Sequence, residues 1–207
     1  MSFEADGAKD DAICDALTAR GFAVAPEFLA HADVAALRAE ALRRRAAREF
    51  HAARVGRGEA MHRDAAIRGD EICWLDAQTA SAPERSLLAR LAALRLALNR
   101  ALFLGVHELE AHYACYGPGA GYARHVDRFS DDDARVISLV LYLNPSWREA
   151  DGGALRLFAS AEARELALVV APRGGTLVAL RSDTISHEVL AAHAERWSVA
   201  GWLRRRT

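Results

Sequence analysis

Residues 116–129 read YGPGAGYARHVDRF, and this stretch carries the strongest indication of fold and site. Three glycines and a proline within its first six residues predict a turn. The turn leads into a run in which His125 and Asp127 stand two positions apart. Residues i and i+2 of a β-strand point to the same face of the sheet, so both side chains are expected to converge on one object. We predict that this object is a metal ion.

A second histidine completes a candidate metal site. An HxD pair alone is a weak signal in a chain with eight histidines, but His187, in the segment SHEV, follows another strand-like run. Two histidines and one carboxylate form the facial ligand set of non-haem Fe(II) oxygenases, which leaves adjacent coordination positions open. The remaining histidines, His112 among them, lack partners at ligand spacing and are expected to be structural or at the surface.

An arginine adds a second requirement to this site. Arg196 follows His187 by nine residues, in ERWSVAGWL, where the strand pattern carries its guanidinium into the interior near the metal. A buried arginine needs an anion, and its planar fork matches a carboxylate in bidentate fashion. 2-Oxoglutarate satisfies both requirements, because its 2-oxo acid end chelates iron while its distal carboxylate pairs with Arg196.

Composition and charge exclude several classes of protein. Lys and Arg number 27 against 28 Asp and Glu, so no basic field indicates a nucleic-acid partner. Apolar runs are too short to cross a bilayer and the N-terminus is acidic, so we predict no membrane association and a cytoplasmic location. Cys14, Cys73 and Cys115 lack CxxC spacing and are expected to be reduced core residues.

Hydrophobic periodicity divides the chain into a helical first half and a strand-rich second half. The first half is expected to hold helices over residues 11–19, 32–50 and 85–104, a strand in GFAVAPEFL, and a long mobile loop over residues 51–70. The second half contains strand-like runs separated by turn signals: HYACY, YARHVD, VISLVLYLN, ALRLF, LALVVA, GTLVAL and WSVAGWL.

Many short strands at even spacing predict a mainly β member of the α+β class, namely a double-stranded β-helix, or jelly-roll barrel, braced by N-terminal helices. We expect a flexible tail over residues 1–10 and a single domain over residues 11–207. Within that domain, residues 11–104 supply the helical layer and the mobile loop, and residues 105–207 supply the jelly-roll core. A chain of 207 residues with 52% hydrophobic residues can bury one such core.

Taken in order, four sets of motifs resemble the 2-oxoglutarate- and Fe(II)-dependent prolyl hydroxylases: YGPGAGYARHVD, RVISLVLYLNPSW, DGGALRLF, and SHEV with ERWSVAGW. The likeness covers residues 60–203 and is strongest to the branch that contains the oxygen-sensing hydroxylases of animals and their bacterial relatives. Upstream, IRGDEICWLD resembles the family's mobile substrate-covering loop and the strand after it. Arginine at position 196 is typical of this branch, whereas the similar collagen-type enzymes have lysine there.

The resemblance implies roles at the cofactor site. It implies three iron ligands: His125, Asp127 and His187. It also implies that Arg196 binds the C5 carboxylate of 2-oxoglutarate with Tyr142 as a second donor, and that Tyr116 lines the pocket beside the metal. The residues themselves leave Tyr142 open to a second interpretation as a core tyrosine. The glycine turn is one residue shorter than in the animal enzymes, which affects the placement of Tyr116.

The resemblance implies substrate contacts as well. Arg135 and Trp202 match positions that contact the prolyl region of the substrate, and Asp70 matches one that pairs with Arg135. From the residues alone, Trp202 also fits a packing residue, and Arg135 and Asp70 also fit solvated, charged loops.

The predicted function is a dioxygenase that uses Fe(II), 2-oxoglutarate and O2, is stimulated by ascorbate, and hydroxylates an exposed prolyl residue of a protein with release of succinate and CO2. The translation machinery is a candidate source of that protein substrate. Two alternatives stay open: the same cofactors acting on a free amino acid or small metabolite, and a non-catalytic metal-binding jelly-roll sensor. Arg196 discriminates against the sensor, because a metal binder has no need of a buried carboxylate receptor.

Overall fold

The structure is a computed structural model, and it describes residues 3–54, 62–128, 134–160, 162–163 and 165–206. Within this part of the chain there are three α-helices: α1 (Phe3–Arg20), α2 (His31–Ala46) and α3 (Ala82–Leu102). The predicted helices are therefore present. α2 ends earlier than expected because the chain turns at Arg48, where φ is 60°. None of the described helices is long and apolar enough to cross a membrane.

The first helix corrects the prediction of a flexible tail over residues 1–10. α1 begins at Phe3, and the side chain of Asp10 is buried against α3. Both oxygens of the Asp10 carboxylate accept hydrogen bonds from Arg90, at 2.6 and 3.1 Å. The Arg90 guanidinium also covers the ring of Phe28, 4.1 Å from its centroid. These contacts give the N-terminal segment a fixed partner that charge content alone did not indicate.

Eleven strands within the described residues form two sheets. The strands are β1 (Phe22–Ala25), β2 (His51–Ala52), β3 (Asp70–Trp74), β4 (Glu108–Tyr116), β5 (Tyr122–His125), β6 (Arg135–Tyr142), β7 (Leu155–Phe158), β8 (Leu166–Val170), β9 (Leu177–Arg181), β10 (His187–Val189) and β11 (Arg196–Arg204). The larger sheet has the order β1-β9-β6-β11-β4-β3-β2 and the smaller one β5-β10-β7-β8, with antiparallel pairing throughout these strands. The two sheets confirm the predicted jelly roll.

The helices brace one sheet, as the sequence predicts. Leucines at helical spacing along α3 pack against the large sheet: Leu87, Leu91, Leu94 and Leu98. They share one cluster with Tyr113 and Cys115 of β4 and with Trp197 of β11. A second cluster contains Tyr116, Tyr142 and residues of the smaller sheet such as Leu157, and it has no helical member among the described residues. The candidate site belongs to this second cluster.

An ion pair joins α2 to α3 beneath this layer. Nη2 of Arg44 in α2 donates to Oε2 of the fully buried Glu84 carboxylate of α3 at 2.9 Å, and Nε of Arg44 lies 2.8 Å from Oε1. Glu84 also accepts a hydrogen bond from the backbone N–H of Ser81, 2.7 Å away, where α3 begins. All three cysteines of the chain lie in the described residues and are buried free thiols, as predicted.

The ends of the predicted mobile loop over residues 51–70 are anchored. β2 pairs with β3 at one end, and near the other end Arg68 forms an isolated bridge with Tyr122. Residues 55–61, the centre of the loop, lie outside the described residues.

Candidate active site

The two histidines of the candidate site face each other across the smaller sheet. His125 ends β5, His187 begins β10, and the two are antiparallel register partners whose ring centroids lie 4.3 Å apart. The glycine turn permits this approach. A Cβ atom at Gly121 would lie 2.7 Å from the carbonyl oxygen of Val189, so a side chain at this position would push β5 away from β10. The predicted turn therefore sets the distance between two strands.

Asp127 joins the histidines, although by a different geometry from the one predicted. β5 ends at His125, so Asp127 lies beyond the strand and the same-face alternation does not place it. Its backbone carbonyl accepts a hydrogen bond from Arg135, at 3.3 Å. Its carboxylate oxygens lie 3.5 Å from Nε2 of His125 and 3.5 Å from Nε2 of His187. The three residues thus offer ligand atoms within 4.8 Å of one another.

Backbone carbonyls orient both imidazoles. Nδ1 of His125 lies 2.7 Å from the carbonyl oxygen of Ala123, and Nδ1 of His187 lies 3.3 Å from that of Ile185. A carbonyl can only accept, so the proton is assigned to Nδ1 in each ring and Nε2 keeps its lone pair. Both Nε2 atoms are those nearest Asp127, which is the arrangement that a metal ligand requires.

The protonation of His187 and Asp127 suits a divalent metal. Burial, followed by the neighbouring His125, lowers the pKa of His187 to about 4, so this imidazole is neutral at physiological pH. Burial by itself raises the pKa of Asp127, but His187 and His125 outweigh it and hold that pKa below its ordinary value. One carboxylate and two imidazole nitrogens are the donor set of non-haem Fe(II), so these residues fit the iron that the sequence predicts.

Arg196, the predicted carboxylate receptor, is 1% exposed at the start of β11. Its Nε donates to the carbonyl oxygen of Gly153 at 2.8 Å, and its Nη1 lies 3.5 Å from Oγ of Ser198. Its Nη2 is buried and has no hydrogen-bond partner within the described residues. Buried donors are nearly always paired, so this nitrogen is available to an anionic ligand in the cavity that Arg196 lines.

Two tyrosines flank the guanidinium of Arg196. The rings of Tyr116 and Tyr142 have their centroids 5.1 Å from its central carbon. The Tyr142 hydroxyl is buried and, like Nη2, lacks a hydrogen-bond partner in the part of the chain that the structure describes. Burial raises the pKa of Tyr142, so the phenol keeps its proton and can donate it. The structure brings together the three residues expected at the cosubstrate site.

The partner of Asp70 differs from the one expected. Both oxygens of its buried carboxylate accept hydrogen bonds from Arg68, at 2.7 and 3.0 Å, so the expected pairing with Arg135 is wrong. The reason is register. Asp70 lies opposite Tyr116 in β3 and β4, at the Arg196 end of the sheet, whereas Arg135 lies opposite Arg204 at the far end of β11.

The two other predicted substrate contacts do lie together. The guanidinium carbon of Arg135 lies 3.6 Å from the ring centroid of Trp202. Since Arg135 also donates to the backbone of Asp127, this stacked pair is connected to the metal ligands. Trp202 is 7% exposed and lines the same cavity as the ligands and Arg196. Its position fits both packing and contact with a substrate.

Two residues of this cavity were not given a place in it from the sequence. The ring of Tyr122 stacks on His125, with centroids 3.7 Å apart and an angle of 19° between the planes. His112 is buried between Trp74 and Trp202, at 4.9 and 5.6 Å, so the expectation that it is structural or at the surface omits its place in the cavity wall. Burial lowers its pKa to about 4. His112 and Tyr116 are separated by an even number of positions along β4, which indicates that they face the same side of the sheet, and this was the available signal in the sequence.

Comparison with known proteins gives one family. The family model described as the 2OG-Fe(II) oxygenase superfamily matches residues 111–204. Human "Prolyl hydroxylase EGLN3" is 34% identical over 143 residues, which cover 66% of this chain and 58% of that protein. Human "Egl nine homolog 1" is 33% identical over 144 residues, covering 66% of this chain and 33% of that protein. The chain thus spans little more than half the length of the first of these relatives.

Two solved structures extend the similarity over nearly the whole chain. A prolyl-4-hydroxylase from Pseudomonas putida has a TM-score of 0.83 and 43% identity, covering 96% of this chain and 100% of that one. A prolyl hydroxylase from Trichoplax adhaerens, solved with a peptide fragment of the hypoxia inducible factor oxygen degradation domain, has a TM-score of 0.85 and 24% identity, covering 97% and 91%. The second likeness shows the fold alone.

Proposed function

The chain belongs to the 2OG-Fe(II) oxygenase superfamily, and from this premise we propose that it is a dioxygenase that hydroxylates a prolyl residue of a protein. In this reaction 2-oxoglutarate and O2 are consumed and succinate and CO2 are released. One observation carries the proposal: a buried arginine with an unpaired nitrogen, within the described residues, lines the same cavity as a complete facial ligand set.

The metal centre consists of three residues that hold Fe(II): His125, Asp127 and His187. When bound, the iron and 2-oxoglutarate together supply the oxidising chemistry that activates O2 and inserts one oxygen atom into a C–H bond. The chain contributes orientation and charge. The neutral imidazole of His187 and the anionic carboxylate of Asp127 bind a divalent ion without first losing a proton, and the carbonyls behind each imidazole oppose rotation of the ring.

Arg196 and Tyr142 receive the C5 carboxylate of 2-oxoglutarate. The Gly153 carbonyl holds Nε of Arg196, so the fork presents Nη2 toward the pocket, and the Tyr142 hydroxyl adds a second donor. A charge-assisted pair in a buried pocket is stronger than a neutral hydrogen bond, which favours a dicarboxylate cosubstrate over neutral 2-oxo compounds. Tyr116 lines the other side of the guanidinium.

Arg135, Trp202 and Asp70 serve the prolyl substrate. The stacked Arg135–Trp202 pair offers a rigid apolar surface with a charge behind it, which suits a proline ring and the carbonyl groups beside it. Asp70 acts through Arg68, since their ion pair anchors the end of the segment that leads into β3. The described ends of the predicted loop, residues 51–54 and 62–70, are expected to border the bound peptide, and the centre of the loop, residues 55–61, lies outside the described part of the chain.

A protein is the proposed substrate for two reasons. The bacterial relative of 43% identity is a prolyl-4-hydroxylase, and the human relative of 34% identity is named a prolyl hydroxylase. Within proteins, components of the translation machinery are the proposed source, in a cytoplasmic setting. Ascorbate is expected to stimulate turnover.

The experiment that tests this function is incubation of the chain with Fe(II), 2-oxoglutarate and ascorbate, together with a fraction of translation proteins and a matched fraction depleted of them. Mass spectrometry should find one added oxygen atom on a proline, with equivalent succinate. Hydroxylation only in the depleted fraction would move the proposal to another protein class. Oxidation of free amino acids and of no protein would support the small-metabolite alternative. Metal binding without succinate formation would support the sensor.

A further inference from the structure

A hydrogen-bonded pair links the two segments that carry the histidine ligands. Nε and Nη2 of Arg124 donate to Oγ of Ser186 at 2.9 and 2.7 Å. Arg124 immediately precedes His125, and Ser186 immediately precedes His187. Successive residues of a strand point to opposite faces, so the Arg124 side chain lies on the face of β5 away from the metal ligands.

The pair is fixed to the chain that follows β7. Oγ of Ser186, which is 2% exposed, donates to the carbonyl oxygen of Ser160 at 2.9 Å. Nη2 of Arg124 donates to the carbonyl oxygen of Ala163 at 2.5 Å. The guanidinium carbon lies 3.7 Å from the ring centroid of Phe158. Arg124 thus has both a hydrogen-bonding and a stacking anchor.

Backbone pairing alone specifies the histidine geometry weakly. β10 has three residues and β5 has four, and their register shifts between His187 and Val189. Short strands with an irregular register can slip, and a slip of one residue would turn one imidazole to the other face of the sheet. A side-chain contact beside both histidines opposes such a slip.

We propose that Arg124 and Ser186 are positioning residues that hold His125 and His187 at metal-binding separation. This inference rests on the metal centre of the proposed function. Groups that orient metal ligands without touching the metal contribute about ten- to a hundredfold to metal affinity. Removal of either side chain is therefore expected to weaken metal binding by about tenfold.

A neighbouring ion pair provides a matched control. Arg156 of β7 pairs with Glu188 of β10 at 3.2 Å, on the same sheet and one residue from His187. The pair joins β7 to β10 and does not include β5, so its loss leaves the link between the histidines in place. Arg156→Ala should bind metal with the affinity of the unmodified chain.

The test is titration of the metal-free full chain with Mn²⁺, followed by electron paramagnetic resonance, which needs no turnover. Arg124→Ala and Ser186→Ala should each raise the Kd about tenfold, while Arg124→Lys should raise it less because an ammonium keeps one bond to Ser186. Urea unfolding of each variant reports stability separately. If Arg124→Ala does not fold, the Mn²⁺ affinity of Ser186→Ala tests the inference, because this variant removes only a hydroxyl group and is expected to fold.

Three outcomes would contradict the inference. Unchanged Mn²⁺ affinity in the folded Arg124→Ala and Ser186→Ala chains would overturn it and leave the proposed function standing. An equal loss of Mn²⁺ affinity in Arg156→Ala would mean that metal binding responds to the loss of any side-chain contact between these strands. Absence of Mn²⁺ binding in the unmodified chain would overturn the metal centre itself, and the positioning role with it.

Discussion

Arg196 and Tyr142 lie together, with the tyrosine ring 5.1 Å from the guanidinium carbon, and each presents a buried polar atom with no hydrogen-bond partner in the described residues. Two adjacent unpaired donors on neighbouring strands are costly unless a ligand accepts from both. This relationship supports the proposed carboxylate pocket, because one carboxylate could accept hydrogen bonds from both groups.

Arg196→Ala should raise the apparent KM for 2-oxoglutarate about a hundredfold. Loss of a charge-assisted pair in a buried pocket costs about 3 kcal/mol. Arg196→Lys should be milder but impaired, because an ammonium does not reproduce the planar fork. Succinate release as a function of 2-oxoglutarate concentration gives both values. An unchanged KM in the alanine variant would mean that the cosubstrate binds elsewhere.

Tyr142→Phe should raise the same KM by about tenfold, because it removes one hydrogen bond to a charged group, worth about 1.5 kcal/mol, and leaves the ring in place. The matched control is Tyr113→Phe. Tyr113 is also fully buried, but it belongs to the cluster under the helices, so its variant should keep the KM of the unmodified chain. Equal effects of the two variants would assign Tyr142 to packing.

Each of His125→Ala, Asp127→Ala and His187→Ala should weaken metal binding by more than about a hundredfold, since even groups that only orient ligands contribute up to that factor. The measurement is iron retained after anaerobic loading and gel filtration, together with succinate formation. His31→Ala, at an exposed histidine where α2 begins, is the control and should retain iron. Full turnover by any ligand variant would contradict the site.

Trp202→Ala should weaken binding of the prolyl substrate without affecting binding of the cosubstrate 2-oxoglutarate. A buried tryptophan that anchors a peptide contributes about 2 kcal/mol, so the KM for a prolyl peptide should rise about thirtyfold while 2-oxoglutarate turnover without peptide is retained. Arg135→Ala should behave alike, because its guanidinium stacks on the same ring. If folded variants lose both peptide hydroxylation and 2-oxoglutarate turnover, these residues serve packing and not substrate binding.

Arg68→Ala should destabilise the fold by about 3 kcal/mol, because it leaves the buried Asp70 carboxylate without its partner. The double variant Arg68→Ala with Asp70→Ala should be less destabilised than the sum of the single variants, since residues that share one ion pair are not additive. Urea unfolding of the four chains measures the coupling. Additive effects would show that the pair does not act as a unit.

The sequence was sufficient to single out His125, Asp127, His187 and Arg196, which the structure places around one cavity. Histidine, aspartate and arginine are unusual in or beside apolar strands. Their side chains bind metal ions and carboxylates, so the residue types themselves indicate the chemistry. Asp127 was found for a reason that the structure changes, since it lies past the end of β5. Its nearness in sequence to His125 keeps it near under either geometry.

Contacts that depend on the register between strands could not be predicted from the sequence. Asp70 lies at the Arg196 end of the sheet and Arg135 at the Arg204 end, and no local pattern encodes that separation. The stack of Tyr122 on His125 and the link between Arg124 and Ser186 likewise arise from strand pairing. The length of helix α1 was underestimated because the partner of Asp10 lies eighty residues away, in α3.

The separation between the two apolar clusters has a consequence for how this chain can change over evolution. Helices α1, α2 and α3 contribute to the cluster on one side of the large sheet, and within the described residues none of their side chains joins the cluster that holds Tyr116 and Tyr142. Substitutions that repack the helices therefore act first on the scaffold, and they reach the pocket through the large sheet that separates the two clusters. Drift in the helical layer is expected to be constrained most at Arg45 of α2, which pairs with Glu195 beside Arg196.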